Sequence, residues 1–328
     1  MAFPLQKLPY LAFEEVLSTM DLRERFLIAT SSKKSAILVK KCVFSKKYKL
    51  TIIIGKKWDI VLDHPHPSQI KKERYSSEEC EKEGIDKTLL ETLELIIDVF
   101  NKPRIRLLTR DPLETYFTFL PFLEKFEVKV NTLRFDCKEH ELQNWLEKCD
   151  KIPNIQAIIY PSEVIDFNTE AKYNFEEVCF YFGDDKEWVS HKDLLISLFD
   201  CKRVETGCPF LAKKYASQEL EEQSHLGLVE ILKRWISGSR MEFLDIWKIP
   251  IDKLTFSTIF EALGQVVPVK QATYPKRYGG WKTIYFHDNC FMIEQNETGR
   301  KAHVFIIHDE KNYYTLLLRM APENFELA

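Results

Sequence analysis

Serine, histidine and aspartate side chains that could act as a nucleophile and its base come together in one short run, Ser190-His191-Lys192-Asp193. The same run is typical of a helix start, in which the serine caps the first turn and the aspartate occupies its third position. His64 and His66 could bind a metal, but the alternating prolines hold them in an extended loop. His303 and His308 lie in a strand-like run at a spacing that points them to opposite faces. We therefore predict no catalytic centre, no metal site and no cofactor.

The eight cysteines are scattered through the chain without a CxxC pair, and no histidine pair has zinc-site spacing. Most lie within apolar segments, such as Cys179 in the run VCFYF, which favours reduced core thiols in a cytoplasmic or nuclear protein. The sequence also lacks the phosphate-binding glycine loop, the dinucleotide turn and the GxSxG nucleophile elbow. These features indicate a protein that is not an enzyme.

One basic and aromatic stretch, residues 270–282, has the composition of a binding loop. Basic side chains interleaved with aromatic rings can hold single-stranded nucleic acid. The surrounding chain is acidic and shows no nucleic-acid-binding motif, so a protein contact is the stronger interpretation, because tyrosine, tryptophan and arginine commonly anchor interfaces. The residues concerned are Lys270, Tyr274, Lys276, Arg277, Tyr278, Trp281 and Lys282.

Charge is unevenly distributed along the 328 residues, whose formal net charge is −3. Residues 1–47 carry nine Lys or Arg and four Asp or Glu, which gives +5 and leaves −8 for the remainder. A basic N-terminal segment of this kind would be attracted to an acidic partner. No run reaches the roughly eighteen apolar residues of a membrane span, and the first residues lack a secretory pattern, so we expect neither a membrane nor a nucleic acid as partner.

The N-terminal stretch from Phe3 to Lys41 predicts three short helices. Leu8-Pro9 can start the first, Asp21 with Glu24 forms a capping box for the second, and the serines at 31 and 32 can cap the third. A segment this small buries too little apolar surface to be stable alone. The segment has more apolar positions than a single buried face would need. We therefore expect either a helical cap of the core or a module whose second apolar face binds a partner.

The same stretch resembles the F-box, in which Leu-Pro is followed by an apolar pair and then by further apolar positions. Its opening, FPLQKLPYLAFEEVLSTM, is similar to the nematode branch of that family. Leu11 departs from the pattern, since an acidic residue is common there, and the closing segment at 31–35 lacks the usual tryptophan. The resemblance implies an F-box over residues 1–47 that binds a Skp-family linker protein. The positions that would contact the linker are Leu8, Pro9, Val16, Leu17, Met20, Leu22 and Phe26.

Strands and helices alternate through most of the remaining chain. A hairpin or two sheet strands over 48–63 are followed by a polar surface loop or frayed helix over 68–84 and by a helix beginning near Asp86. Strand centres near 133, 158, 179, 210 and 244 then recur with one helix between them, which is typical of a degenerate leucine-rich-repeat-like array ending at about residue 260. A generic α/β sheet remains the alternative. We predict a loop over 264–280 and an antiparallel β meander over 281–319 that caps the array.

The C-terminal half resembles the F-box-associated type 2 domain of nematode proteins. The similarity lies in GLVEILKRWISGSRMEFLDIW and in the hairpins FMIEQNETGRKAHVFIIHDEKNYYTLLLRM. It implies that residues 48–328 form this domain and that the chain is a non-catalytic adaptor of an SCF-type ubiquitin ligase. The linker would connect it to a cullin–RING ligase, and the C-terminal domain would bind a protein substrate. A leucine-rich-repeat-like binding scaffold without a ubiquitin-ligase role remains the alternative.

The strand face of the array is the predicted substrate surface, because helices line the opposite face and alternate strand side chains point outward. The long loop at 264–280 would form the rim of this surface. The predicted substrate-binding residues are Arg134, Tyr160, Tyr181 and Asp245, with Tyr274, Arg277 and Tyr278 at the rim.

Overall fold

Helices and strands alternate along the chain, so the protein is a mixed α/β structure, as the sequence predicts. It forms two compact units, Met1–Asp136 and Cys137–Ala328, which are described separately. The computed structural model describes residues 7–20, 22–42, 49–55, 58–63, 72–76, 87–100, 102–110, 113–160, 170–182, 192–207, 218–249, 253–264, 266–275, 281–285, 289–308, 314–323 and 325–327. No helix within these residues is long and apolar enough to cross a membrane.

The first unit opens with the three predicted helices, α1 (Tyr10–Thr19), α2 (Leu22–Ser31) and α3 (Lys33–Cys42). Pro9 precedes α1 as its N-cap, where its missing N–H removes no helical hydrogen bond. Ser32 caps α3 as expected, because its hydroxyl oxygen accepts the backbone N–H of Ser35 at 3.1 Å. Asp21, the predicted cap of the second helix, lies outside the described residues, as does the predicted domain boundary at residue 47.

Five neighbouring strands complete the described part of the first unit, in the order β3-β2-β1-β4-β5. The predicted hairpin is confirmed, since β1 and β2 pair antiparallel, and β1, β4 and β5 then run parallel. A register shift in the β4–β5 pairing lets Val130 and Leu133 both turn inward, as the apolar pattern of this run suggests. The elements are β1 (Lys49–Ile54), β2 (Asp59–Asp63), β3 (Lys72–Ser76), α4 (Lys87–Val99), β4 (Arg104–Thr109), α5 (Leu113–Lys125) and β5 (Val130–Lys138).

The second unit begins with strand–helix alternation and ends in antiparallel strands. Its bounds are α6 (Glu139–Lys148), β6 (Asn154–Tyr160), β7 (Glu177–Phe182), α7 (Lys192–Ser197), β8 (Arg203–Gly207), α8 (Gln218–Ser237), β9 (Phe243–Ile249), α9 (Lys253–Leu263), β10 (Val267–Pro275), β11 (Trp281–Tyr285), β12 (Cys290–Glu294), β13 (Lys301–His308), β14 (Tyr314–Met320) and β15 (Phe325–Leu327).

Parallel and antiparallel strands of this unit share a sheet, ordered β6-β7-β8-β9-β14-β13-β12-β10-β11, with β15 beside β10. Strands β6 to β9 are parallel, and β14 joins β9 antiparallel. Parallel neighbours need a crossover, which α7 supplies between β7 and β8 and α8 supplies between β8 and β9. The parallel strands therefore occupy one half of the sheet and the predicted closing strands the other.

The two faces of this sheet differ in burial. Alternate side chains of β6 to β9, such as Ile155, Phe180 and Leu244, are buried, whereas their neighbours in the strands are mostly half-buried. The half-buried Phe291 of β12 lies on the same face as Leu244, and its ring stacks on Phe260 of α9 with centroids 4.1 Å apart, so this face packs against a helix. Covering one face with helices is the usual way in which a sheet of this kind buries its apolar side.

Five elements differ from the predictions, and one of them is the short strand β15, which was not predicted. Strand β3 lies inside the predicted polar loop, and β10 lies inside the predicted loop at 264–280. Strand β8 and helix α9 were not predicted, and residues 208–210 of the strand expected near 210 lie outside the described residues. The strands were missed because β3 has a polar sequence, KERYS, β10 contains two prolines, and β8 alternates polar and small residues.

Candidate functional site

Four neighbouring strands of the second unit carry one polar row across the sheet. The register pairs Gln156 with Cys179, Cys179 with Glu205, and Glu205 with Asp245. Because side chains two apart in a strand share a face, the aromatic residues near the ends of these strands lie on the same side as this row. We call this surface the polar face; its members are Gln156, Tyr160, Glu177, Cys179, Tyr181, Arg203, Glu205, Asp245 and Trp247.

The thiol of Cys179 lies between two carboxylates of the polar face. It donates to Glu205 Oε2 at 3.4 Å and to Glu177 Oε1 at 3.7 Å. Burial, together with these two carboxylates, raises the pKa of Cys179 well above its ordinary value, so the thiol stays protonated and is not a nucleophile at neutral pH. The three groups lie within 4.8 Å of one another, close enough for a shared metal ion. The hydrogen bonds from the thiol to the two carboxylates also account for this approach.

Asp245 is held by an arginine and an indole. Its carboxylate lies 3.7 Å from the guanidinium of Arg319 and accepts a hydrogen bond from Trp247. Burial raises the pKa of Asp245 to about 6, although Arg319 and Trp247 act in the opposite direction. The guanidinium of Arg319 also lies 3.2 Å from the ring centroid of Phe243, and that of Arg203 lies 4.4 Å from the same centroid. These contacts fix the position of Asp245 within the sheet.

An aromatic pair adjoins the carboxylates on the polar face. The rings of Tyr181 and Trp247 have centroids 5.7 Å apart and are tilted by 47°. Trp247 reaches Tyr181 across Gly207, where an added Cβ would meet Trp247 Cβ at 2.6 Å. Glycine is therefore required at this position by close packing and not by backbone conformation.

A second polar contact lies inside the antiparallel half of the sheet. The hydroxyl of Tyr274 is 2.6 Å from Nδ1 of the buried His303. The ring of Phe325 meets His303 edge-on at a centroid distance of 5.1 Å. Burial lowers the pKa of His303 to about 4, so the imidazole is neutral at physiological pH.

A cleft of about 890 Å³ lies between the ends of α8 and α9 and strand β12. Its lining includes apolar side chains such as Ile236, Leu263 and Met292. Glu294 is the titratable group among the described lining residues, and it is exposed. A single exposed carboxylate gives this cleft no nucleophile–base pair among the residues that the structure describes.

Three of the predicted substrate-binding residues, Tyr160, Tyr181 and Asp245, lie on the polar face. Arg134 is a half-buried residue of the first unit. Tyr274, on β10, is partly buried against His303. Arg277 and Tyr278 lie outside the described residues. Sequence reasoning missed Glu205 and Trp247, since nothing in the sequence shows which residue of a neighbouring strand each will face.

The predicted linker-binding residues occupy α1, α2 and their flanks. Pro9 is exposed, whereas Leu17 is only 3% exposed. Leu22 begins α2, and its side chain lies outside the described residues. The half-buried members are Leu8, Val16, Met20 and Phe26.

Each of the three N-terminal helices also exposes a large apolar side chain that was not predicted to contact the linker. Leu11 is 73% exposed, Leu27 is 58% exposed and Ile37 is 57% exposed. Isolated apolar residues on a surface are ordinary, but one on each helix of a small module marks apolar surface that this unit leaves uncovered. Of these three residues, Leu11 was already unusual in the sequence, because it stands where an acidic residue would fit the F-box pattern.

Comparison of the chain with protein-family models, with curated proteins and with solved structures finds no significant match.

Proposed function

We propose that this protein is the substrate-recognition adaptor of an SCF-type cullin–RING ubiquitin ligase. Residues 1–47 would form an F-box that binds a Skp-family linker, and residues 48–328 an F-box-associated type 2 domain that binds a protein substrate. The proposal is supported by the sequence resemblances in both regions and by three helices where an F-box requires them. In this role the chain is non-catalytic.

The observation that carries the proposal is the apolar surface on the N-terminal helices. Leu11, Leu27 and Ile37 expose more than half of their side chains to solvent. Covering such side chains at an interface gains about 25 cal/mol for each Å² of apolar surface removed from water. A linker protein with a complementary apolar groove is the occupant that the F-box resemblance implies.

In the second unit, the parallel strands with intervening helices fit a degenerate leucine-rich-repeat-like array closed by antiparallel strands. We assign substrate binding to the polar face, because the opposite face is covered by helices. This assignment keeps the linker and the substrate on different parts of the chain, as an adaptor requires.

The first test measures the affinity of the purified full chain for a Skp-family linker. Leu11→Glu, Leu27→Glu and Ile37→Glu should each weaken binding about thirtyfold or more, because truncating or charging an interface anchor commonly costs about 2 kcal/mol. Leu226→Glu is the matched control, since Leu226 is 62% exposed on α8, in the second unit. Its affinity should equal that of the wild type.

Thermal unfolding of each variant separates loss of binding from loss of fold. Leu17→Ala is less informative, because it removes a buried side chain and tests the core of the first unit. Undiminished linker binding by all three exposed-site variants, or no linker binding by the wild type, would refute the adaptor role. A ubiquitin-transfer assay should show activity only after linker, cullin and RING components are added.

A further inference from the structure

Glu205 stands near the centre of the polar face, and its charge acts on the pKa of Arg319 only from a distance, because that guanidinium is paired with Asp245. Among the described residues its carboxylate takes part in no ion pair and accepts only the weak hydrogen bond of the Cys179 thiol. The residue is half-buried, so solvent screens its charge less than that of a fully exposed glutamate. A carboxylate in this state favours the approach of a positive charge.

The aromatic pair supplies the second half of a site. Gly207 follows Glu205 by two residues on β8, a distance of about 7 Å along the strand. Trp247 of the neighbouring strand β9 packs against Gly207. Tyr181 packs against Trp247 at 5.7 Å, and both rings keep part of their surface accessible. Aromatic faces attract an ammonium or guanidinium group, and this attraction is larger when a carboxylate lies beside them.

We propose that the polar face binds a lysine or arginine side chain of the protein substrate, with its charged group at Glu205 and its stem against Trp247 and Tyr181. The inference rests on the proposed function for the nature of its ligand, a protein substrate. It adds the chemistry that selects that substrate: a basic segment, read by one carboxylate and two aromatic rings.

The balance of charges on this surface favours a cation over an anion. Glu177, Glu205 and Asp245 contribute three carboxylates, against the guanidinium groups of Arg203 and Arg319. Arg319 is committed to Asp245 and also donates to the carbonyl oxygens of Leu244 and Leu318, each at 3.0 Å. Arg203 lies over the ring of Phe243, and Glu205 has only the longer-range attraction of Arg319, so the surface holds one carboxylate more than it holds guanidinium groups.

The test uses the purified full chain and arrayed short peptides of mixed sequence whose central residue is fixed as Lys, Arg, Leu, Glu or phosphoserine. The wild type should prefer central Lys or Arg over Leu by about tenfold, the factor that corresponds to one charge-assisted hydrogen bond of about 1.4 kcal/mol. Glu205→Gln keeps the size of the side chain and an acceptor for Cys179, and it should abolish this preference. Glu261→Gln, an exposed site on helix α9, is the matched control and should retain it.

A charge reversal extends the test. Glu205→Lys should shift the preference toward Glu or phosphoserine. A wild-type preference for phosphoserine, equal or absent binding of all peptides, or an unchanged Lys and Arg preference in Glu205→Gln would overturn the assignment.

Failure of the adaptor role has a different signature. The peptide measurement needs no linker, so a chain that selects basic peptides but does not bind Skp-family proteins would refute the adaptor role and leave this site standing. A chain that binds the linker but shows no preference for basic peptides would refute this site and leave the adaptor role standing.

Discussion

The buried His303 makes the stability of the second unit depend on pH. Its side chain is 0% exposed, its Nδ1 contacts the Tyr274 hydroxyl, and its Nε2 has no hydrogen-bond partner among the described residues. Its cross-strand neighbours are Arg319 and Met292. A proton on this ring would place a charge in a nearly water-free site, so folding favours the neutral imidazole.

The direction and size of the effect follow from the two pKa values. Burial lowers the pKa of His303 to about 4 in the folded protein, against about 6.5 in an unfolded chain. The stability that the neutral ring contributes is fully present above about pH 6.5 and is lost as the pH falls toward about 4. The loss reaches about 2 kcal/mol near pH 5 and about 3 kcal/mol at complete protonation.

Asp245 acts in the opposite direction over the same range. Burial raises its pKa to about 6, so folding favours the protonated acid and acidification stabilises the protein by about 1.4 kcal/mol near pH 5. The wild type alone would therefore show a small net change. Only a comparison with a variant that lacks the titrating imidazole isolates the contribution of His303.

The informative variant is His303→Gln, whose amide oxygen can accept the Tyr274 hydroxyl and does not titrate. Urea unfolding of both proteins at about pH 7.5 and about pH 5 gives the difference in their free energies of unfolding at each pH. That difference should shift by about 2 kcal/mol in favour of His303→Gln at the lower pH. An equal difference at the two pH values would refute the assignment of a depressed pKa to His303.

Two further substitutions test the packing of the second unit by urea unfolding. Gly207→Ala should destabilise it by about 1–3 kcal/mol, because the new Cβ would lie 2.6 Å from Trp247 Cβ; an unchanged midpoint would mean that Trp247 does not occupy this position. Trp235→Phe should cost about 3 kcal/mol, because the buried indole donates to the Met241 carbonyl at 3.0 Å and the smaller ring also leaves a void. Lys233→Ala, exposed on the same helix, should change stability by less than about 0.5 kcal/mol, and an equal loss in both variants would contradict the packing argument.

Periodicity was sufficient to predict most helices and the apolar strands of this protein. Strands β6 and β7 and helix α6 carry clear patterns, since one face of each is buried. Strands β3, β8 and β10 were missed because the rules that identify strands depend on apolar alternation and on the absence of proline. In the sheet, β8 gains its place from pairing on both sides with β7 and β9, a long-range contribution that local sequence does not contain.

The candidate site was predicted only in part, because the contacts that form it also depend on long-range strand pairing. Alternation placed Tyr181 on an outward face, and the structure puts Tyr160 and Asp245 on that face too. Alternation along one strand could not predict the contact of Tyr181 with Trp247 or of Cys179 with Glu205, because these contacts depend on strand register. The exposed apolar residues of the N-terminal helices were equally ambiguous, since a small helical module with excess apolar positions does not reveal which ones turn outward.

The arrangement of the polar face separates groups that stabilise the sheet from groups left for a ligand. Asp245, Arg319 and Phe243 satisfy one another, and through the indole hydrogen bond they fix Trp247 across Gly207. Glu205 makes no ion pair among the described residues and has only the longer-range attraction of Arg319, although a half-buried carboxylate without a direct partner lowers the stability of the free protein. A purely structural role would be served as well by an uncharged side chain of similar size. The unpaired charge beside a positioned aromatic pair is therefore best explained by a cation that arrives with the substrate.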